Sequence, residues 1–293
     1  MTLSKKARRN LAGWCFITPQ IIGYLCFVAL PLLFSLYLCF AEWDLMNFPT
    51  FVGLKNFKWV LHDRIFWKSI KNTFIYIIIT VPLTIVVSLG LAILTNRKLP
   101  LMKFFRAALF LPMITSTVAI AMVWYFIYEP TGGVLNTVLM WLGVSNPPQW
   151  LQDTFWAKIA IIILSVWLKM GYYYIIFDAA VKNVPKEQYE AADIDGANSW
   201  VKIRKILLPE IGPQMFFVSV MLFIDVFNMF SEVYMMTGGG PDYSTYTLSM
   251  YIYHYAFEEF NMGVAAVGSW SLFVLVGIIT VIQFFFKKRA GVE

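Results

Sequence analysis

Residues 72–95 read NTFIYIIITVPLTIVVSLGLAILT, a run without a single charged side chain. A bilayer hydrocarbon core about 30 Å thick takes about 20 apolar helical residues to cross, and this run has the length. Strands of a membrane barrel are nearer ten residues and alternate apolar with polar; this run does neither, so it reads as a transmembrane helix. The rest of the chain agrees. It is 59% hydrophobic and 14% charged over 293 residues, with a mean hydropathy of +0.67, where a soluble domain carries about 25% charged residues. Further runs of span length are Trp14–Phe40, Ala107–Tyr128, Phe155–Phe177, Ile211–Val233 and Val264–Phe286. The expected fold is all-α: a polytopic integral membrane protein of six transmembrane helices, with spans over 14–286 and short segments 1–13 and 287–293 at either end.

Lys and Arg set the expected orientation. On one side lie the clusters Lys5–Arg9, Arg97–Arg106, Lys182–Lys205 and Lys287–Arg289; the other holds Lys55, Lys58, Arg64, Lys68, Lys71 and Lys158, and Lys169 falls within a span. The positive-inside rule then puts both termini in the cytoplasm. The net charge of +6 belongs to short loops beside spans, where insertion and anionic lipid favour it, and calls for no nucleic acid. The run Trp14–Phe40 exceeds the apolar core of a signal peptide, roughly 7–15 residues, and is expected to be a retained first helix. Cys15, Cys26 and Cys39 all lie on it; at helical rise the first two stand roughly 16 Å apart, so no disulfide joins them.

Among the loops, FVGLKNF in 41–71 reads as structured, MMTGGGPDYST as turn chemistry, and TLSMYIYHYAFEEF as a short interfacial helix. The charged stretch 189–210, YEAADIDGANSWVKIRKILLPE, is the odd one, within a cytoplasmic loop of about 178–210. Pro185 suits a first-turn position, with Glu187 and Glu190 near the positive end of the helix dipole. The spacing predicts a helix from Pro185 to Asp195, ended by Gly196 in a left-handed conformation. In the second helix Trp200, Ile203, Ile206 and Leu207 share a face, and Pro209 closes it. Two such helices make either a knob for another protein's groove or a pair lying on the membrane surface.

The pattern goes further than the physics. Glu190-Ala191-Ala192, then Gly196, then Ile206 and Leu208-Pro209 resembles the EAA motif of membrane subunits of binding-protein-dependent ABC importers, and Asp195-Gly196-Ala197 resembles the form found in carbohydrate-type members. TGGGP with STYTLSMYIYHYAF resembles that subfamily's last outer loop and FVGLKNF its first, so the resemblance spans essentially the whole chain. Compared with some maltose-type members, the protein is expected to be of the compact type, without their extra amino-terminal spans and large outer domain. The resemblance implies the fold of a type I importer permease in a bacterial or archaeal cytoplasmic membrane. It also implies partners: cytoplasmic ATPase subunits seated on Glu190 through Leu208, a second permease that is a related but different chain, and an extracytoplasmic solute-binding protein. ATP and Mg would belong to the ATPase, consistent with the lack of a G-x-x-x-x-G-K-[ST] loop here; no cofactor or metal is expected on this chain.

Polar groups inside spans mark a cavity or a paired site. Asp225, Asn228 and Glu232 stand at i, i+3 and i+7 on the fifth span, with Lys169 of the fourth a candidate partner for Asp225. Thr73, Tyr76, Thr80, Thr84 and Ser88 form a milder stripe on the second span, past a kink expected at Pro82, and read first as interhelical hydrogen bonding. Trp14, Trp150, Trp156 and Phe284–Phe286 suit interfacial belts, while Trp124, Tyr128, Trp167 and Tyr172 can stack on a sugar ring. The path residues singled out are Asp225, Asn228, Trp124 and Trp167, and the carboxylate favours a neutral sugar over a phosphorylated polyol. An ion-coupled secondary transporter is the competing class, kept alive by Asp225. An intramembrane enzyme lacks its motifs: His62 and His254 both fall in outer loops, with no HExxH and no G-x-S-x-G.

Overall fold

A computed structural model describes residues 5–96 and 102–289, with side chains over 13–96 and 104–287. The basic residues at 5–9, 97, 98, 103, 288 and 289 have their side chains outside this set. The described chain is helical apart from turns and one antiparallel ladder of two residues on each side, Ala41 opposite Phe51 and Glu42 opposite Thr50. Among the described residues four helices are each long and apolar enough to cross a bilayer, and two bent pairs, Phe104–Ile114 with Thr117–Ile127 and Ser199–Glu210 with Gly212–Phe227, raise that number to six if each is one span. The chain divides into two compact units, Met1–Asp63 with Ile252–Trp270, and Arg64–Tyr251 with Ser271–Glu293.

In the first unit, α1 (Lys5–Tyr24), a π turn (Leu25–Ala29) and α2 (Leu30–Leu38) form one helical run. The widened turn comes just before Pro31, whose ring cannot donate to the ladder. Over 13–38 only 6% of the apolar window is buried, so these side chains face outward. The run ends where FVGLKNF takes over. α3 (Lys55–His62) carries Asn56, 5% exposed, whose Nδ2 donates to the carbonyls of Cys39 at 3.2 Å and Ala41 at 2.8 Å. The same Nδ2 also donates to the Leu38 carbonyl at 3.5 Å, one of those that a helix end leaves without a partner. The loop is therefore structured, as expected, because it caps the first span.

The second unit is organised by two long helices, α4 (Arg64–Thr95) and α8 (Trp156–Asn183). Their contact is the most extensive in the chain. Thr73, Tyr76, Thr80, Thr84 and Ser88 are all buried in α4, Ser88 Oγ donates to the Met170 carbonyl at 3.0 Å, and Thr95 bonds Tyr174 at 3.0 Å. The stripe is thus buried among helices, with Ser88 joining α4 to α8 by a hydrogen bond of the kind expected between spans. The assigned helix runs through Pro82 without interruption.

The third span, expected as one helix over Ala107–Tyr128, is instead α5 (Met102–Ile114) and α6 (Thr117–Ile127), set at 105°. Pro112 lies in the last turn of α5, and Thr115 and Ser116 follow, residues whose hydroxyls compete for backbone groups. Hydropathy is blind to such a break. α7 (Val134–Trp141) follows, held through Asn136, which accepts from Trp150 Nε1 at 2.8 Å. Trp150 is 7% exposed among Tyr128 and Trp156, so it is a packing residue and not the belt residue expected.

After the helices of the 178–210 loop, α9 (Lys186–Ile194), α10 (Ser199–Lys202) and α11 (Leu208–Glu210), the fifth span is also interrupted. It was expected to run over Ile211–Val233, but α12 (Gly212–Phe227) stops at Asn228, and α13 (Ser231–Thr237) begins beyond a break. α14 (Leu248–Tyr253) corrects a further expectation: it is not interfacial, since Leu248 and Tyr251 are fully buried and Met250 nearly so. It is drawn inward because Thr247 Oγ1 donates to the Met229 carbonyl at 2.9 Å and Ser249 Oγ to the Phe227 carbonyl at 3.1 Å, both freed by the break. Thr73 Oγ1 in turn accepts from Leu248 N at 3.0 Å. α15 (Met262–Arg289) completes the chain.

α5 crosses α8 at Gly171, where a Cβ would collide with the Leu109 carbonyl oxygen. Gly171→Ala should therefore destabilise by about 1–3 kcal/mol, the usual range for overpacking. The thermal midpoint of the purified protein in detergent should drop; an unchanged midpoint would refute this close approach.

Candidate functional site: a charged-loop knob and a polar cavity

The knob is built by its helix ends. α9 starts after Pro185, as expected, and ends in a Schellman motif: Gly196, at φ +71°, donates to the Asp193 carbonyl at 3.1 Å, and Ala197 N donates to the Ala192 carbonyl at 2.9 Å. The glycine predicted to end the helix does so. Asn198 then caps α10, accepting from Val201 N at 2.9 Å. Two ties join the helices, Gln188 Nε2 to Glu210 Oε1 at 2.6 Å and an ion pair between Lys202 and Asp193.

Pro209 does not close the second helix. A π turn over Ile203–Leu207 lets α11 carry it to Glu210, because proline near the start of a new segment loses no ladder bond. The bend, 72°, comes at Ile211. Glu190, Ala191, Asp195, Gly196 and Pro209 are exposed, and Ala192, Ala197, Ile206 and Leu208 are half-buried. Beside them stand Ile194, 88% exposed, and Trp200, 68% exposed. The face shared by Trp200, Ile203, Ile206 and Leu207 therefore splits: Leu207 is buried at 3% and Trp200 faces out. Ile194 was missed by the sequence reading, although an isoleucine next to the capping Asp195 is a visible signal.

The cavity, about 170 Å³, lies where the two broken spans meet α8. Pro112 and Thr117 flank the α5–α6 break; Lys169 and Tyr172 come from α8; Asp225 and Glu232 come from either side of the α12–α13 break. The Tyr173 hydroxyl donates to Asp225, while Lys169 Nζ lies 3.2 Å from Glu232 Oε1. Lys169 thus pairs with Glu232 and not with Asp225. The three polar residues of the fifth span do not share one helical face, because the break separates Glu232 from the other two. Asn228 is exposed, and its Nδ2 donates to the Ile224 carbonyl at 2.8 Å, closing the end of α12.

Trp124 and Trp167 are half-buried and pack on each other, with ring centroids 5.6 Å apart. Neither is among the residues lining the cavity; Tyr172 is. Tyr128 is 1% exposed and donates to the Ala160 carbonyl at 3.2 Å, which commits it to packing. Carboxylates, an ammonium and a phenol around a small cavity offer hydrogen bonds to hydroxyls. Among the described residues no cluster of three or more His, Cys, Asp or Glu is arranged for a metal.

Known proteins place this geometry. Residues 84–291 match the model of the family described as binding-protein-dependent transport system inner membrane component. The chain is 38% identical to the probable ABC transporter permease protein YesP of Bacillus subtilis (strain 168), covering 97% of this chain and 93% of that protein. It is 35% identical to the lactose transport system permease protein LacF of Rhizobium radiobacter, over 98% and 97% of the two chains. A chain from the crystal structure of a bacterial alginate ABC transporter in complex with an alginate pentasaccharide-bound periplasmic protein superposes with a TM-score of 0.85. It is 22% identical and covers 98% of this chain and 97% of that one, a likeness of fold. With the broken spans and the matched family, the conclusion follows: the chain belongs to the binding-protein-dependent inner membrane components, and is a multi-pass permease protein of an ABC importer, a transport component rather than an enzyme.

Proposed function

We propose that this chain forms half of the translocation path for a neutral mono- or oligosaccharide, handed over by an extracytoplasmic binding protein and driven by a cytoplasmic ATPase seated on the knob. The carrying observation is the polar cavity at the meeting of two broken spans, with Asp225 and Tyr172 on its wall. The relatives support the solute class: besides LacF they include the probable starch degradation products permease protein AmyD of Thermoanaerobacterium thermosulfurigenes, 32% identical over 99% of this chain. They also include the arabinooligosaccharides permease protein AraP of Halalkalibacterium halodurans, 32% identical over 96% of it. A sugar's hydroxyls take hydrogen bonds from such a wall, and its C–H face accepts an aromatic ring.

In this reading Glu190, Ala191, Ala192, Asp195, Gly196, Ala197, Ile206, Leu208 and Pro209 form the coupling surface, with Ile194 and Trp200 as its apolar anchors. ATP and Mg sit on the partner ATPase, a second and related permease completes the path, and both termini are cytoplasmic. Asp225, with Trp124 and Trp167 as flanking aromatics, serves the path; Asn228 serves it by fixing the end of α12. ATPase closure pulls the knob, and alternating access follows.

Orientation is checked by thiol labelling from outside: cysteines introduced at Asn146 and Asp242 should react and one at Asp193 should not. Reaction at Asp193 would reverse the topology and remove the coupling surface from the cytoplasm.

For coupling, a β-branched side chain at the left-handed Gly196 costs upward of about 1–2 kcal/mol, and reversing an interfacial charge typically costs about 2–5 kcal/mol. Gly196→Val and Glu190→Lys should therefore each cut uptake by about tenfold or more while the chain still inserts. Normal uptake by a Gly196→Val transporter with its ATPase still bound would refute the docking assignment.

For the solute, Asp225→Ala should weaken uptake more than it lowers the ATP hydrolysis stimulated by loaded binding protein. The solute assignment fails if the cognate binding protein holds only anionic phosphate esters and no neutral sugar.

A further inference from the structure

Lys169 and Glu232 are charged groups on the cavity wall that the proposed path leaves without a task. They belong to elements of different kinds. Lys169 is on α8, unbroken from Trp156 to Asn183; Glu232 is on α13, seven residues long and cut off from α12 by the break at 228–230. α13 packs closely against α6, which its own break sets at 105° to α5. The segments beyond both breaks are therefore packed together, and the ion pair ties them to the unbroken helix. Both side chains are withdrawn from solvent, 16% exposed for Lys169 and 7% for Glu232.

Such a pair is a poor source of stability, because desolvating two charges offsets most of their attraction; its best-attested use is choosing between arrangements. Hydration also changes its strength. Two unit charges attract several-fold more strongly in a surface-like dielectric than in bulk water. A pair of this kind is therefore weaker in a cavity open to water than in a closed one. The other charged group on the cavity wall, Asp225, is engaged by Tyr173 and does not compete for Lys169.

We propose that Lys169–Glu232 is a latch, a positioning pair that holds α6 and α13 closed over the cavity and parts when that side opens. This rests on reading the cavity as a station on the transport path, with α13 towards the outside. The probe is a thiol introduced by Thr117→Cys on the cavity wall, in a chain with Cys15, Cys26 and Cys39 changed to serine. The whole transporter sits in phospholipid vesicles without nucleotide, and a membrane-impermeant thiol reagent is added on the outside.

Lys169→Gln and Glu232→Gln should each speed labelling about tenfold, and the charge swap Lys169→Glu with Glu232→Lys should return it towards the unmodified pair. Lys169→Met with Glu232→Leu leaves no unpaired charge to unfold the chain and should label as fast as the single variants. Labelling as slow as in the intact pair for this double variant would overturn the latch, as would a swap that labels like the single variants. Protection of the same thiol by neutral sugar tests the path separately: a thiol that opens as described, yet is protected by no sugar, keeps the latch and removes the solute assignment.

Discussion

Inside hydrocarbon there is no water to pair with a freed N–H or C=O, so every interruption of a span must be closed by the protein itself. That constraint explains much of the second unit. Ending α12 at Asn228 frees the carbonyls of Phe227 and Met229, and the hydroxyls of Ser249 and Thr247 take them. To bring those hydroxyls inward the segment must itself be anchored, and α4 anchors it: Thr73 accepts from Leu248 N, and Asn72 Nδ2 donates to the carbonyls of Tyr243 at 2.9 Å and Tyr246 at 3.0 Å. Lys68, one turn earlier, pairs with Asp242 at 2.8 Å. The polar residues at the start of α4 and the TLS of the last loop are thus two ends of one repair.

Not every buried hydroxyl is part of such a repair. Thr80 and Thr84 on α4 and Ser165 on α8 lie buried without a hydrogen-bond partner. Their contribution is size, since small side chains let two long helices approach closely. The same economy appears at Gly171, where α5 reaches the α8 backbone.

How much of this could be read from the sequence depends on what each signal measures. Apolar runs mark where lipid is, so the spans were legible, although α4 begins at Arg64 and not Asn72, and α8 ends at Asn183 and not Phe177, because polar and charged turns extend both helices beyond their apolar runs. They do not mark direction, so the breaks at Thr115–Ser116 and 228–230 were invisible even though Pro112, the Thr-Ser-Thr triplet and Asn228 stood in plain view. The end of the knob's first helix was legible because it is local: Gly196 at a left-handed position depends on its neighbours in sequence, as does the cap at Asn198, which the sequence reading passed over. Pro209 misled because a proline ends a helix only where its missing N–H is needed. The cavity was half legible. Asp225 was found from the cost of a carboxylate in a span, but its partner Tyr173 lies 52 residues away, and only the fold decides that Lys169 turns to Glu232. Tyr172 was named only as one aromatic among several, since stacking residues look alike until a wall is present.

These partners share one origin. Tyr173 and Lys169 both project from α8 at a spacing of four, one face of a helix, and hold groups on either side of the fifth-span break. α8 is therefore the fixed reference of the cavity, and the knob begins where α8 ends, at Val184. On its far side the knob passes into α12 through the bend at Ile211, a residue 1% exposed and so held in place. Cross-ties through Gln188–Glu210 and Lys202–Asp193 join its two helices. α12 in turn carries Asp225 at the break. The chain thus joins the knob to the cavity by direct connectivity through α12 on one side and α8 on the other.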